Sequence, residues 1–199
     1  MPNWCSNNMT IIGPEDQVRS IVNAVRPVDG EDRELGLTTF MPQPRDENGD
    51  PIEGTSWQYE NWGTKWGDSD TELTYEEYSG ATSSASVTYN TPWGPMSRLV
   101  AEISRQHPDC VIDVEYEEPG MCFFGLEQFR AGELIYERHH EYDFDAGVIK
   151  LPDGWEMNFD TDWDNEDQDP SGTLNDAIYA ALEHLWVGQS LAGDLAPSD

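Results

Sequence analysis

The sequence predicts an α+β domain in which two helices cover one face of an antiparallel sheet, the arrangement of a split βαβ sandwich. Three observations lead to this expectation. A strand pattern followed by a helical apolar stripe occurs twice, the segment 110–117 alternates between apolar and acidic residues, and the chain is rich in aromatic residues. Only 37% of the 199 residues are hydrophobic, but eight Trp, eight Tyr and six Phe supply large side chains for a core.

The first strand–helix pair occupies the N-terminal part of the chain. Residues 3–12 read as a strand that ends at Gly13, and Pro14 suits the first turn of a helix. The helix shows one apolar stripe at helical spacing, formed by Val18, Ile21, Val22 and Val25. Residues 28–54 are rich in Pro and Gly and predict a loop, with a short strand at 35–41.

The second half of the sandwich follows an aromatic segment at 57–66. Residues 71–78 and 84–89 predict a strand pair. The next helix begins near 91–95 and has its own apolar stripe, formed by Met96, Leu99, Val100, Ile103 and His107. Residues 110–117, 121–129 and 133–142 predict three further strands. This order of elements predicts a ferredoxin-like domain over residues 1–140.

The remaining residues predict an acidic extension, 141–189, that packs on the same domain. It contains a hairpin within 147–159 and a helix that starts near Ser171 or Thr173 and ends at Gly188. Residues 190–199 read as a disordered tail. The fold class is therefore α+β, a ferredoxin-like sandwich with an acidic C-terminal extension and a final helix.

The net charge excludes several classes of function. Forty Asp and Glu stand against ten Lys and Arg, so the formal charge is −30. Sites for nucleic-acid phosphates and anionic membranes need clustered cations, so we expect no direct binding to either. The N-terminus lacks the features of a signal peptide and no apolar stretch approaches a membrane span, which predicts a cytoplasmic protein. Three scattered cysteines predict neither a disulfide framework nor an iron–sulfur cluster, and we expect no cofactor.

Four segments carry a family resemblance. They are MPNWCSNNMTIIGP at the start, then NWGTKWGD, TPWGPMSRL and EPGMCFFG, in this order. Together they resemble the YubB-type ferredoxin-like domain family of phage and plasmid proteins, over roughly residues 1–140. The resemblance implies a ferredoxin-like domain in a protein of a mobile genetic element, acting in the host cytoplasm if it is phage-encoded. It implies no particular activity.

The acidic residues suggest a partner-binding role. Three runs place carboxylates at alternate positions, and in a strand such residues share one face about 6.6 Å apart. We expect a non-enzymatic accessory protein that binds a basic, nucleic-acid-binding host protein, with nucleic-acid mimicry as one form of that binding. The expected contact residues, with two Trp anchors, are Asp113, Glu115, Glu117, Glu141, Asp143, Asp145, Trp155, Asp160, Asp162, Trp163 and Asp164.

Two other functions remain open on the sequence. His139 and His140 lie beside Glu141 and Asp143, which is a candidate centre for a small metal-binding protein or enzyme. The acidity is also typical of a soluble or salt-adapted protein that has no nucleic-acid-related partner.

Overall fold

The computed structural model describes residues 3–26, 36–52, 54–79, 82–162 and 169–193, with side chains up to residue 187. The eight strands described are β1 (Trp4–Gly13), β2 (Ser69–Glu77), β3 (Ser83–Pro92), β4 (Val111–Glu118), β5 (Phe123–Arg130), β6 (Glu133–Glu141), β7 (Val148–Lys150) and β8 (Glu156–Asn158). The four α-helices described are α1 (Glu15–Val25), α2 (Thr55–Asn61), α3 (Ser97–Gln106) and α4 (Pro170–Gly193).

The main sheet confirms the predicted fold class. Its six strands are hydrogen-bonded in the order β2-β3-β1-β4-β5-β6. The pairs β1–β3, β1–β4 and β2–β3 are antiparallel. The first four strands, with α1 after β1 and α3 after β3, reproduce the split βαβ order of a ferredoxin-like domain, and β5 and β6 extend the sheet beyond β4.

The core lies between this sheet and the helices α1 and α3. Alternate residues of β1, β3 and β4 are buried, because successive side chains of a strand point to opposite faces. Both apolar stripes predicted for the helices are buried against them. The main buried residues of this core are Met9, Ile11, Val18, Ile21, Val22, Val87, Leu99, Ile103, Ile112 and Val114. We call this the helix face of the sheet.

The turn between β5 and β6 is held by two residues with positive φ. Ala131 has φ 52° and Gly132 has φ 88°, as a two-residue type I′ hairpin requires. The Gly132 N–H donates to Ser104 Oγ at 3.2 Å. A Cβ at position 132 would lie 2.9 Å from Cβ of Arg105, so both the backbone angle and the neighbouring helix select glycine there.

The chain divides into two compact units, residues 1–121 with 126–137, and residues 122–125 with 138–199. In the second unit α4 contacts the hairpin β7–β8. The Asp169 side chain accepts hydrogen bonds from Gly172 N and Ser171 Oγ and caps α4, with Pro170 as its first helical residue. The buried residues of this unit include Ile149, Leu151, Phe159, Leu174, Ala177, Ile178, Ala181 and Leu182.

Two local predictions are wrong and one helix was missed. Residues Leu37–Phe40 form a 3₁₀ turn where a short strand was expected, because Leu37 and Thr38 N–H groups bond to the Asp68 carboxylate and not to a neighbouring strand. Helix α2 was not expected in the aromatic segment. Helix α4 continues past Gly188 to Gly193, so 190–193 are helical, and residues 194–199 of the expected tail lie outside the described residues.

Within the part of the chain that the structure describes, no helix has the length and apolarity needed to cross a bilayer.

Candidate functional site

The face of the sheet opposite α1 and α3 is largely polar across four strands, although the alternation also places Trp4, Ile12 and Val111 on it. We call it the open face. Its members lie on β1, β3, β2 and β4 and alternate with the buried residues of the helix face. Its polar members include Ser6, Asn8, Thr10, Ser84, Ser86, Thr88, Asn90, Glu72, Tyr75, Glu77, Asp113, Glu115 and Glu117. At its centre, Ser6 and Asn8 are exposed, so the hydroxyl and amide band of β1 is open to solvent.

The first predicted acidic row lies on this face as expected. Glu117 is paired with Ser6, Glu115 with Asn8 and Asp113 with Thr10 in the antiparallel β1–β4 register. The three carboxylates therefore form a row beside the hydroxyl and amide band, with side chains about 6.6 Å apart along β4.

A second row of carboxylates on β2 was not predicted. Glu72 is paired with Thr88, which places it on the open face. A register shift then follows, so that Glu77 pairs with Ser84 and also faces this side. Glu76 lies on the other face, where it forms an ion pair with Arg26, the residue that follows α1. Strict alternation along β2 would place Glu76 on the same face as Glu72. The bulge adds one residue to β2, so Glu77 lies on that face instead.

The open face contains no opposing charge on its own strands. None of the four strands β1–β4 includes a Lys or Arg. Partial burial raises the pKa of Asp113, and Gln128, which donates to Asp113 Oδ1 at 2.7 Å, opposes that rise. Burial also raises the pKa of Glu117, and its Oε2 is buried without a hydrogen-bond partner among the described residues. A cationic group placed here would therefore stabilise the ionised form of carboxylates whose pKa is raised by burial.

The other two acidic runs do not form strand rows. Glu141 is the last residue of β6, but Asp143 caps a 3₁₀ turn through a bond from Asp145 N. Asp160 Oδ1 accepts from Asp162 N in a similar local turn. Carboxylates at alternate positions bond their own backbone in turns as readily as they line a strand, which is why this part of the prediction is wrong. Trp163 and Asp164 lie outside the described residues.

The imidazole pair does not form a joint site. His139 and His140 are neighbours on β6, so their side chains point to opposite faces. The His139 ring lies 5.2 Å from that of Phe123, and the His140 ring lies 5.7 Å from that of Phe124. Burial lowers the pKa of His140. The described residues hold no group of three or more His, Cys, Asp or Glu side chains placed for a metal ion.

Trp155 and the histidine of α4 form a small surface cluster in the second unit. The Trp155 ring stacks on His184 with centroids 5.5 Å apart. His184 Nε2 and Asp153 Oδ2 are 2.6 Å apart, and this hydrogen bond lowers the pKa of Asp153. Trp155 therefore packs within its own unit. Sequence spacing gave no sign of this cluster, because Asp153 and His184 are 31 residues apart.

A carboxyl of β5 that sequence reasoning missed is buried on the helix face. Glu127 of β5 is only 4% exposed, and its Oε1 accepts from Ser97 Oγ at the start of α3 at 2.7 Å. Its Oε2 and the Tyr89 hydroxyl are both buried without a partner among the described residues. Burial, opposed by the Ser97 bond, raises the pKa of Glu127 to about 7. The only sequence signal is a Glu at an otherwise apolar strand position.

The aromatic segment is divided between core and surface. Trp62 is buried in the core, and its indole N–H donates a hydrogen bond to Met41 O. Trp57 packs edge-on against Trp62, with ring centroids 5.5 Å apart. Tyr59 is exposed. Trp66 instead contacts Trp93. These residues therefore form no single stacking platform for bases.

The strand order and the two packed helices define this chain as a ferredoxin-like α+β protein. The family model described as the ferredoxin-like domain in Api92-like protein matches residues 61–168, more than half of the chain. The chain therefore belongs to this family. The match includes residues 141–168, which the sequence motifs had placed outside the resemblance.

One solved structure is similar at the level of the fold. The crystal structure of protein Api92 from Yersinia pseudotuberculosis matches with a TM-score of 0.53, covering 72% of this chain and 99% of that chain at 9% identity. At this identity the similarity concerns the fold alone. No curated protein matches the chain.

Proposed function

We propose that the open face binds a basic protein, and that it does so as a non-enzymatic mimic of a nucleic-acid backbone. The observation that carries the proposal is the placement of carboxylates on both β2 and β4, on the part of the sheet formed by β1–β4, whose four strands contain no Lys or Arg. A partner with clustered cations is complementary to this face, whereas nucleic acid and anionic membranes are repelled by it.

The spacing of the two rows supports mimicry. Carboxylates on β4 repeat about every 6.6 Å, and the β2 row lies three strand spacings away, about 14 Å. Duplex DNA likewise presents regular rows of negative charge with an axial step of about 3.4 Å per strand. The β4 carboxylates therefore repeat at about every second phosphate step, and the β2 carboxylates add negative charge on the other side of the hydroxyl and amide band.

The finer parts of the expectation belong to the same proposal. The contact role of Glu141, Asp143, Asp145, Asp160, Asp162 and Trp155, and of Trp163 and Asp164, stays a prediction. So do a host nucleic-acid-binding protein as partner, an origin in a phage or plasmid, the YubB-type relationship and action in the cytoplasm.

A competition experiment tests the proposal. A purified bacterial nucleoid protein is bound to a fluorescent DNA duplex, and the chain is added at 50 and 300 mM salt. We expect the wild type to displace the duplex and to do so more weakly at the higher salt, because exposed charges are screened. The triple variant Asp113→Asn, Glu115→Gln, Glu117→Gln should displace at least about tenfold less well.

The control variant removes three exposed carboxylates from other surfaces, Glu47→Gln, Glu60→Gln and Glu133→Gln. It should compete like the wild type. Equal weakening by both triple variants would show that only net charge acts, as expected of a generic acidic protein. No displacement at either salt concentration would refute the mimicry.

A further inference from the structure

Two tryptophans meet at one end of the sheet with a lysine between them. The rings of Trp66 and Trp93 lie 5.2 Å apart at an interplanar angle of 60°. The Lys65 ammonium is 5.3 Å from the centroid of Trp66 and 5.5 Å from that of Trp93. Both distances are within the roughly 6 Å at which a cation is attracted by an indole face.

Trp93 is held in a conformation that large side chains rarely adopt. Its φ is 63°, in the left-handed region, and its N–H donates to Asn3 O at 3.0 Å. The side chain is 36% exposed. Strain of this kind persists only where the surrounding structure imposes it, and it is concentrated at binding sites. The strained backbone here positions an exposed aromatic ring.

Lys65 makes no ion pair or hydrogen bond within the described part of the chain, although carboxylates outnumber cations fourfold. Lys150, the other lysine of the sequence, lies 3.6 Å from Glu156. Lys65 instead places its charge against two indole rings. The ring pair is therefore a cation-binding element that the chain fills with its own side chain.

The ring pair follows the end of β3 that is paired with the start of β1. Trp93 directly follows Pro92, which pairs with Trp4 at the start of β1. Trp4 is 41% exposed. It lies two residues before Ser6, which pairs with Glu117. Two residues of β1, about 6.6 Å of strand, therefore separate the partner of Pro92 from the partner of Glu117.

We infer that the Trp66–Trp93 pair binds an arginine side chain of the basic partner, which displaces Lys65. This inference rests on the proposed function of the open face and adds the specific contact. Arg is favoured over Lys as the incoming group, because its planar, weakly hydrated guanidinium stacks on aromatic faces. Lys65 then acts as an internal competitor that lowers affinity for weakly basic proteins.

Binding of a hexa-arginine peptide, measured by calorimetry and by tryptophan fluorescence, tests the inference. A hexa-citrulline peptide serves as the uncharged probe of similar shape. Lys65→Ala and Lys150→Ala each remove one positive charge, but only Lys65→Ala removes the ammonium group from the two indole rings. We expect Lys65→Ala to bind the arginine peptide about two- to fivefold more tightly than Lys150→Ala, the size of one cation–π contact.

Trp93→Gly removes the ring and suits the left-handed backbone, so the fold should be kept. It should bind the arginine peptide about two- to fivefold more weakly than the wild type and abolish the advantage of Lys65→Ala. Equal affinity of the two lysine variants, or unchanged binding by Trp93→Gly, would overturn the inference.

The open-face triple variant separates this inference from the proposed function. If it binds the peptide as well as the wild type while Trp93→Gly binds weakly, the ring site stands and the carboxylate face fails. If the triple variant is weak and the lysine variants are equal, the face stands and the ring site fails.

Discussion

Replacing Glu127 by Gln should make the stability of the first unit less dependent on pH. Glu127 is 4% exposed, it receives one hydrogen bond from Ser97, and no cation contacts it among the described residues. Glu137 repels an ionised Glu127. The negative charge of Glu127 also acts on three groups of neighbouring strands, Cys5 on β1, Tyr89 on β3 and Tyr116 on β4. The fold therefore favours the protonated acid.

The magnitude follows from the pKa. Burial raises the pKa of Glu127 from 4.5 to about 7 in the folded state. The unfolded chain ionises from about pH 4.5 and the folded chain only from about pH 7, so the free energy of unfolding falls as the pH rises between these values and then levels off. At about 1.36 kcal/mol for each tenfold change in acid constant, the loss is about 3 kcal/mol.

Urea unfolding at pH 5, 6, 7, 8 and 9 measures this loss for the wild type and for Glu127→Gln. The Gln amide oxygen can still accept from Ser97, so the variant should exceed the wild type by less than about 1 kcal/mol at pH 5 and by about 3 kcal/mol above pH 7. Glu133→Gln, which neutralises an exposed carboxylate of β6, controls for general charge repulsion. A pH-independent difference, or one equal to that of Glu133→Gln, would refute the reasoning.

Three further substitutions have defined outcomes. Gly132→Ala should lower the free energy of unfolding by at least about 1 kcal/mol, because φ is 88° and Arg105 leaves no room for a Cβ. An unchanged free energy in urea unfolding would contradict this turn. Asp153→Asn removes the carboxylate bonded to His184. At pH values above 3.8 the variant should melt at a lower temperature than the wild type, and in strong acid the two should melt at the same temperature, as measured by circular dichroism. Tyr89→Phe should raise the free energy of unfolding by about 1 kcal/mol, since the buried hydroxyl has no partner among the described residues, and destabilisation would reveal one.

Periodicity predicted the fold because burial on one side of each element leaves a direct trace in the sequence. The stripe from Val18 to Val25 and the alternation on β4 each mark one buried face, and the structure has both. Elements without such a trace were missed. Helix α2 buries no residue completely, and the 3₁₀ turn at Leu37 depends on Asp68, which is 31 residues away.

The candidate site was predicted only where the local pattern coincided with a strand. Asp113, Glu115 and Glu117 form the expected row because β4 is regular. Asp143 and Asp160 have the same spacing but lie in turns, since a short acidic side chain also bonds the backbone two residues ahead. The β2 row depends on a register shift, which no property of β2 alone specifies.

Composition and periodicity were enough to establish the acidity, the α+β class and the two helices that cover the sheet, because these depend on residue types and on spacing within one element. The tertiary structure decided which carboxylates share the open face, that Trp66 meets Trp93 around Lys65, and that Glu127 is buried beside Ser97. Each of these depends on which segments pair and in which register, and that is set by the packing of residues distant in the chain.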